Sequence, residues 1–176
     1  MRLLSIDLLD DHEHDVLDEW GNRAVLTRPV PTPVSIPALF AVQVAHHPDA
    51  VTLTCGEHSW TYSGLDQAAN RLAQVVVAHG GGPGERVALL LPRSGEAIVA
   101  ILAVLKCGAA YLPMDPAHPD ARIRFMISDA APVAVLTTAE LRARLDGADV
   151  AVIDVADPAV AEQPGRGSPE PAADDI

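Results

Sequence analysis

Aromatic residues are scarce: Trp, Tyr and Phe together make up 3% of the 176 residues. A core cannot be built around rings here. Ala, Val, Leu and Ile must supply it, and a hydrophobic fraction of 49% is sufficient. Basic residues are few as well. Twelve Lys and Arg face 24 Asp and Glu, for a formal net charge of -12. A chain of that sign repels phosphate backbones and anionic membrane surfaces, which argues against nucleic-acid and membrane partners. Cysteine is nearly absent. Cys55 and Cys107 form no CxxC pair and no metal-ligand spacing, so two buried, reduced thiols in a cytoplasmic protein are expected. Long apolar runs are missing too. The longest, Ala97 to Leu105, falls short of the ~20 residues a membrane span needs and reads as a buried helix. Arg2 is followed by a stretch that soon turns acidic, which is not the order of a secretory signal.

What is present alternates between strand and helix. Met1 to Arg28 reads as a short helix with polar flanks and apolar points at Leu8, Leu9, Val16, Leu17 and Trp20. Pro29, Pro31, Pro33 and Pro37 then impose an extended linker, because each fixes its own φ and restricts its predecessor. Ile36, Leu39, Phe40 and Val44 fall at helical spacing on one face, ending at His47-Pro48-Asp49. Val51 to Thr54 and Ser59 to Tyr62 form a hairpin about Gly56-Glu57. Ser63, with Asp66 three residues on, reads as a capping box for a helix to about His79, buried through Leu65, Ala69, Leu72, Ala73 and Val76. Gly80, Gly81, Gly82 and Gly84 stop it.

The clearest unit follows. Arg86 to Leu91 is a continuous apolar strand. Ser94 caps a helix with Ile98, Ile101, Leu102 and Leu105 inside, Gly108 ends it in a left-handed turn, and Ala109 to Met114 is a second strand. Strand, helix, strand at these lengths is a βαβ crossover, which implies parallel strands buried on both faces. Pro113 is expected to end its strand. Asp120 caps a helix carrying Ile123, Met126 and Ile127. Val133 to Thr137 is a third strand, Thr138 caps a short helix to Leu145 that Gly147 closes, and Val150 to Val155 is a fourth strand. The class is α/β with βαβ units and a mainly parallel sheet. From Ala156 the chain turns to Pro, Gly, Ala and acid without apolar periodicity, and reads as an exposed or disordered loop. The organisation expected is a linker with a short helix at 1–35, a folded part at 36–155 and a flexible loop at 156–176.

Residues that could carry chemistry are few. The run His79-Gly80-Gly81-Gly82-Pro83-Gly84 suggests a phosphate loop, but such a loop follows a strand and opens a helix. These glycines follow a helix and lead into a strand, without Gly-Lys-Ser/Thr, so they read as a helix stop. The acidic and His-rich run Asp10 to Asp15, with His12 and His14, reads as a solvated helix start rather than a metal site. His46 and His47 suit the free carbonyls of a helix end. Ser94-Gly95 lacks the frame of a nucleophile elbow. No residue is assigned a catalytic, cofactor-binding or metal-ligating role.

Several segments together carry a resemblance. Trp60 to Ala73, WTYSGLDQAANRLA, is similar to a Thr/Ser-Tyr, Glu-Leu, Ala-Asn-x-Leu-Ala motif, with Gly64 where Glu is usual. Leu105 to Asp115, LKCGAAYLPMD, resembles LKAGxAYLPLD, with Cys107 at the usual Ala. Pro116 to Ala130 continues it, with His118 at a usual Tyr. Ile6 to Asn22 resembles the linker after a condensation domain, with Gly21 between Trp20 and Asn22. Ile36 to Thr54 resembles a first domain helix and strand. Ala173 to Ile176 resembles the residues just ahead of a Ser/Thr/Gly-rich phosphate loop. These are the features of nonribosomal peptide synthetase adenylation domains, within the adenylate-forming ligases.

The resemblance implies the incomplete N-terminal subdomain of that fold. It implies a parent enzyme that joins an amino acid carboxylate to the AMP portion of Mg·ATP and passes the acyl group to a carrier protein's phosphopantetheine thiol. Its partners would be the remainder of the adenylation domain and adjacent condensation and carrier domains. The family's phosphate loop, adenosine-binding and ammonium-binding residues and C-terminal Lys would all lie beyond Ile176. The fragment is thus expected to be scaffold without activity of its own, its sheet partly uncovered. Tyr62 and Tyr111 are expected to pack rather than catalyse. A truncated paralogue serving as an interaction module, or another acyl-activating ligase, is the alternative. The Lys-poor, Arg-containing composition points to a GC-rich bacterial source.

Overall fold

The computed structural model describes residues 9–21, 23–29, 32–165 and 167. Leu8, Asn22, Pro31 and the Ala173–Ile176 segment singled out above lie outside them. The chain divides into two units, Met1–Pro33 and Val34–Ile176.

In the first unit, the expected single helix is two: α1 (Asp11–Trp20) and α2 (Arg23–Leu26). Asp10 starts α1. Its carboxylate accepts from Glu13 N at 2.8 Å, and Glu13 Oε2 accepts from Asp10 N at 3.0 Å, a reciprocal capping box. At the other end Gly21 N donates to Leu17 O at 2.7 Å, and the helix stops there.

The second unit opens with α3 (Ile36–His46), whose N-cap Ser35 accepts from Ala38 N at 3.2 Å and whose Pro37 occupies the first turn. Strands β1 (Val51–Cys55) and β2 (His58–Thr61) form an antiparallel hairpin turned by Gly56 at φ +60°. Helix α4 (Tyr62–Ala78) begins at once, capped by Thr61 rather than Ser63. Thr61 Oγ1 accepts from Gly64 N at 3.0 Å, while Tyr62 N and Ser63 N donate to Ala50 O and Pro48 O. Those bonds satisfy the first free N–H groups of the helix, so it starts two residues earlier than the sequence pattern places it. Asp66 is released from capping and turns to other partners.

Strands β3 (Arg86–Leu90), β4 (Ala110–Met114), β5 (Ala134–Thr137) and β6 (Ala151–Asp154) form one sheet of order β4-β3-β5-β6, parallel throughout. Pro113 does not end β4; it lies inside the strand, paired with Leu89. This is possible because β4 is an edge strand and a lost ladder donor there costs little. Helix α5 (Gly95–Lys106) joins β3 to β4, and its end is a Schellman turn: Gly108, at φ +75°, donates to Leu105 O and Ala109 N to Val104 O. The same motif ends α4, where Gly80 donates to Val77 O and Gly81 to Val76 O.

Helix α6 (Asp120–Ala130) joins β4 to β5. Asp120 does not cap it; Pro119 holds that position without a side-chain bond, and Asp120 instead faces Arg144. The expected helix after Thr138 is only a 3₁₀ turn, Arg142–Leu145. Helix α7 (Pro158–Ala161) lies within the stretch expected to be irregular, and its Val160 enters the core.

Two of the three cores flank the sheet. On one face of the sheet Val87, Leu89, Ala134, Leu136 and Ile153 meet Leu72, Val76, Ala103 and Val104 of α4 and α5. On the other, Ala88, Leu90, Met114 and Val135 meet Ile123, Ile127 and Leu145. Both faces of β3 and β5 are therefore covered within this chain, whereas on the edge strand β4 Tyr111 and Pro113 stay exposed, so the sheet is partly uncovered as expected. Further apolar exposure lies elsewhere. On α3, Phe40 and Val44 are half-buried, whereas Ile36 and Leu39 are 61% and 56% exposed, so the four do not share one buried face. The thiols differ as well: Cys107 is buried, but Cys55 is exposed at the hairpin tip, where residues 56–59 are exposed too.

Candidate functional site

A parallel sheet gathers its strand-to-helix loops at one edge, where ligands of α/β proteins bind. Here the chain runs from β3 outward to β4 through α5, then returns across β3 to β5 through α6, so the direction of winding reverses between β3 and β5. At that point the strands are tied together. Thr137 is fully buried at the end of β5, and its Oγ1 donates to Leu90 O of β3 at 3.0 Å.

The open space lies beside it, over the ends of β3 and β4. A cleft of about 570 Å³ is lined by Leu89, Leu91, Pro92, Arg93, Ala97, Ile101, Pro113, Met114, Asp115, Pro116 and His118. Its outer wall, the loop 115–120, is built firmly. Asp115 Oδ1 accepts from Ala117 N at 2.8 Å. The Arg144 guanidinium donates to Pro116 O and His118 O and pairs with Asp120 Oδ1. Arg93, Asp115 and His118 are the polar groups that reach this cleft. None was singled out for chemistry by spacing in the sequence. Their signal is only that each follows the carboxyl end of a strand.

The residues considered from sequence are spread over the chain. The glycine run sits between α4 and β3, as its order in the chain implies. Gly80 and Gly81 spend their N–H groups on the helix end, and Glu85 N donates to Gly82 O. Those amides do not converge on a common point, so this turn does not fit a triphosphate. Ser94 Oγ accepts from Ala97 N at 3.3 Å as the N-cap of α5. His46 and His47 close α3, their rings edge to face with centroids 6.2 Å apart. His12 and His14 lie in the capped start of α1, and among the described residues no group of three or more His, Cys, Asp or Glu is arranged to hold a metal ion. Tyr62 stacks at a tilt on Phe40, centroids 5.8 Å apart, and Tyr111 is 40% exposed on β4.

One thiol is chemically altered. Cys107 Sγ lies 3.1 Å from Ala103 O and 3.4 Å from Ala73 O, in the seam between α4 and α5. Burial pushes its pKa up to about 11, so it is a neutral packing group and not a nucleophile. At the surface, Glu140 is held below the ordinary carboxylate range by hydrogen bonds from the Thr138 side chain and from its own backbone N–H.

Comparison with known proteins agrees with this architecture. Residues 40–175 match the family described as AMP-binding enzyme. The chain is 59% identical over 169 residues to the isonitrile lipopeptide synthase of Mycobacterium tuberculosis, covering 96% of this chain and 7% of that protein. It is 39% identical over 157 residues to a dimodular nonribosomal peptide synthase of Bacillus subtilis, covering 89% of this chain and 6% of the relative. A crystal structure of a nonribosomal peptide synthetase with bound AMPPNP superposes with a TM-score of 0.83 at 25% identity, over 94% of this chain and 17% of that one. The chain thus spans a small part of the proteins it matches. It belongs to the AMP-binding enzyme family and carries part of a nonribosomal peptide synthetase adenylation domain.

Proposed function

We propose that this chain is the scaffold onto which an amino-acid-activating site is built, and that it does not catalyse adenylation alone. The parent enzyme would couple an amino acid to AMP from Mg·ATP and load it on the phosphopantetheine thiol of a carrier domain. Residues 1–35 would lead in from a condensation domain, and 156–176 would lead out toward the phosphate-binding part of the domain. The setting would be the cytoplasm of a bacterium that makes a secondary metabolite.

The observation that carries this reading is the match of residues 40–175 to AMP-binding enzymes in a segment whose glycine-rich turn after α4 is spent on closing a helix. Phosphoryl transfer depends on positioning and charge neutralisation by converging donors. The described residues contribute instead three packed cores and a pinned loop. Amino-acid-dependent pyrophosphate exchange tests it. The purified 176-residue chain should give background rates with every amino acid, and the same chain extended through its downstream reading frame should exchange. Turnover by the short chain would refute the proposal. A stop codon directly after Ile176 would favour an interaction module instead.

A further inference from the structure

We infer that Asn70 is a clamp that seats the chain leaving α7 on helix α4, and that Asp66 and Lys106 hold the clamp in place. This inference stands whether or not the adenylation reading does.

Asn70 is 4% exposed in the middle of α4, among Leu65, Ala69, Leu72 and Ala73. A buried amide is costly unless its polar atoms are bonded. Its Nδ2 is bonded twice, to Asp66 Oδ2 at 2.9 Å and to Gly165 O at 3.1 Å. The other oxygen of Asp66 receives Lys106 Nζ at 2.8 Å from the last turn of α5. Lys106 is the chain's one lysine. The relay therefore runs from α5, through two residues of α4, to the backbone beyond α7.

These acceptors fix which way the amide points. Turned over, its carbonyl oxygen would face a carboxylate and a carbonyl. Oδ1 consequently points away from both. It is buried and has no hydrogen-bond partner among the described residues. It lies 3.6 Å from where a Cβ on Gly167 would be. Gly165 runs close along the same helix, with Gln67 Cβ and Cγ each 3.7 Å from its own Cβ position. An amide that already grips one carbonyl, and whose free acceptor faces the chain two residues later, is half of a two-sided hold. The missing half would be the backbone N–H of Gly167, the described residue that approaches that oxygen.

Trypsin provides a local probe, since Arg166 follows the gripped Gly165 directly in sequence and supplies a cleavable bond. In Asn70→Leu the volume stays and both kinds of bond are lost. In Lys106→Met the support is lost without touching the segment. Cleavage after Arg166 should speed up about tenfold in N70L and about threefold in K106M, while amide exchange in β3 and β5 stays as slow as in the parent chain. A residue that merely stabilised the fold would loosen β3 and β5 together with the segment. Unchanged cleavage in N70L overturns the inference, and so does protection lost throughout the chain in both variants. Should N70L fail to fold, K106M decides: local release supports the clamp, and unchanged cleavage overturns it.

Discussion

The indole of Trp60 lies directly on the backbone of Gly95. A Cβ added at Gly95 would sit 2.2 Å from Trp60 Cη2 and 2.6 Å from Cζ3, well inside contact distance. Trp60 lies in β2 and Gly95 opens α5, so this contact locks β2 onto the start of the helix that crosses the parallel sheet. It also explains why a glycine stands at a helical position.

At an ordinary helix position Gly→Ala stabilises by up to about 1 kcal/mol. Gly95→Ala should do the opposite and cost about 1–3 kcal/mol, because the ring must shift in a packed site. Urea unfolding followed by far-ultraviolet circular dichroism measures it. In a Trp60→Leu background the same substitution should become neutral or stabilising, and an equal penalty in both backgrounds would refute the contact's role.

The two thiols should separate cleanly. Cys55 should react with a thiol reagent in the folded chain and Cys107 only after unfolding. The folded Cys107 keeps its proton to about 11, above the usual thiol value near 9. The folded state thus binds more protons than the unfolded state between those values. This contribution is complete below pH 9 and is lost as pH rises toward 11. Melting temperature should fall across that window, and Cys107→Ala should flatten the fall.

Ala131 ends α6 with φ +45°, the one non-glycine residue among those described with positive φ. The left-handed conformation costs an L-residue roughly 1–2 kcal/mol, part of which a glycine returns through its freer unfolded state. Ala131 is exposed, so no packing is lost on replacement. Ala131→Gly should raise stability by about 0.5–1 kcal/mol, read as a higher urea midpoint at constant slope.

Thr137→Val keeps shape and removes one hydrogen bond across the point where the winding reverses. A loss of about 1 kcal/mol is expected, with circular dichroism unchanged. A loss no larger than that of an exposed substitution would show that the Leu90 carbonyl is indifferent to its partner.

Apolar dye binding should trace to α3 rather than to the sheet. Ile36, Leu39 and Val42 are 61%, 56% and 48% exposed, while both faces of the central strands β3 and β5 are covered. Replacing Ile36 and Leu39 with Ser should abolish most of the dye signal, and a signal that persists would point to an opened sheet.

Much of this fold was legible in residue order. The run Val87 to Leu91, the cap at Ser94 and the glycine at 108 announce a βαβ unit, because each acts through its immediate neighbours. Capping was less legible. Ser63 and Asp66 satisfy the local pattern of a capping box, yet Thr61 caps α4, since bonds to Pro48 and Ala50 across the hairpin fix the start. Asp120 likewise fits a cap and is drawn off by Arg144. The cleft over β3 and β4 had no signature, because Arg93, Asp115 and His118 meet only when the strands align.

The amino-acid sequence alone determined most of the elements, the parallel class and the family, since periodicity, turn glycines and motif strings are local properties of the chain. Tertiary structure decided which polar groups face one another. It placed Asn70 against Gly165, Lys106 against Asp66 and Trp60 over Gly95. Such contacts join residues tens of positions apart, and only the packing of whole helices on a sheet brings them within ångströms.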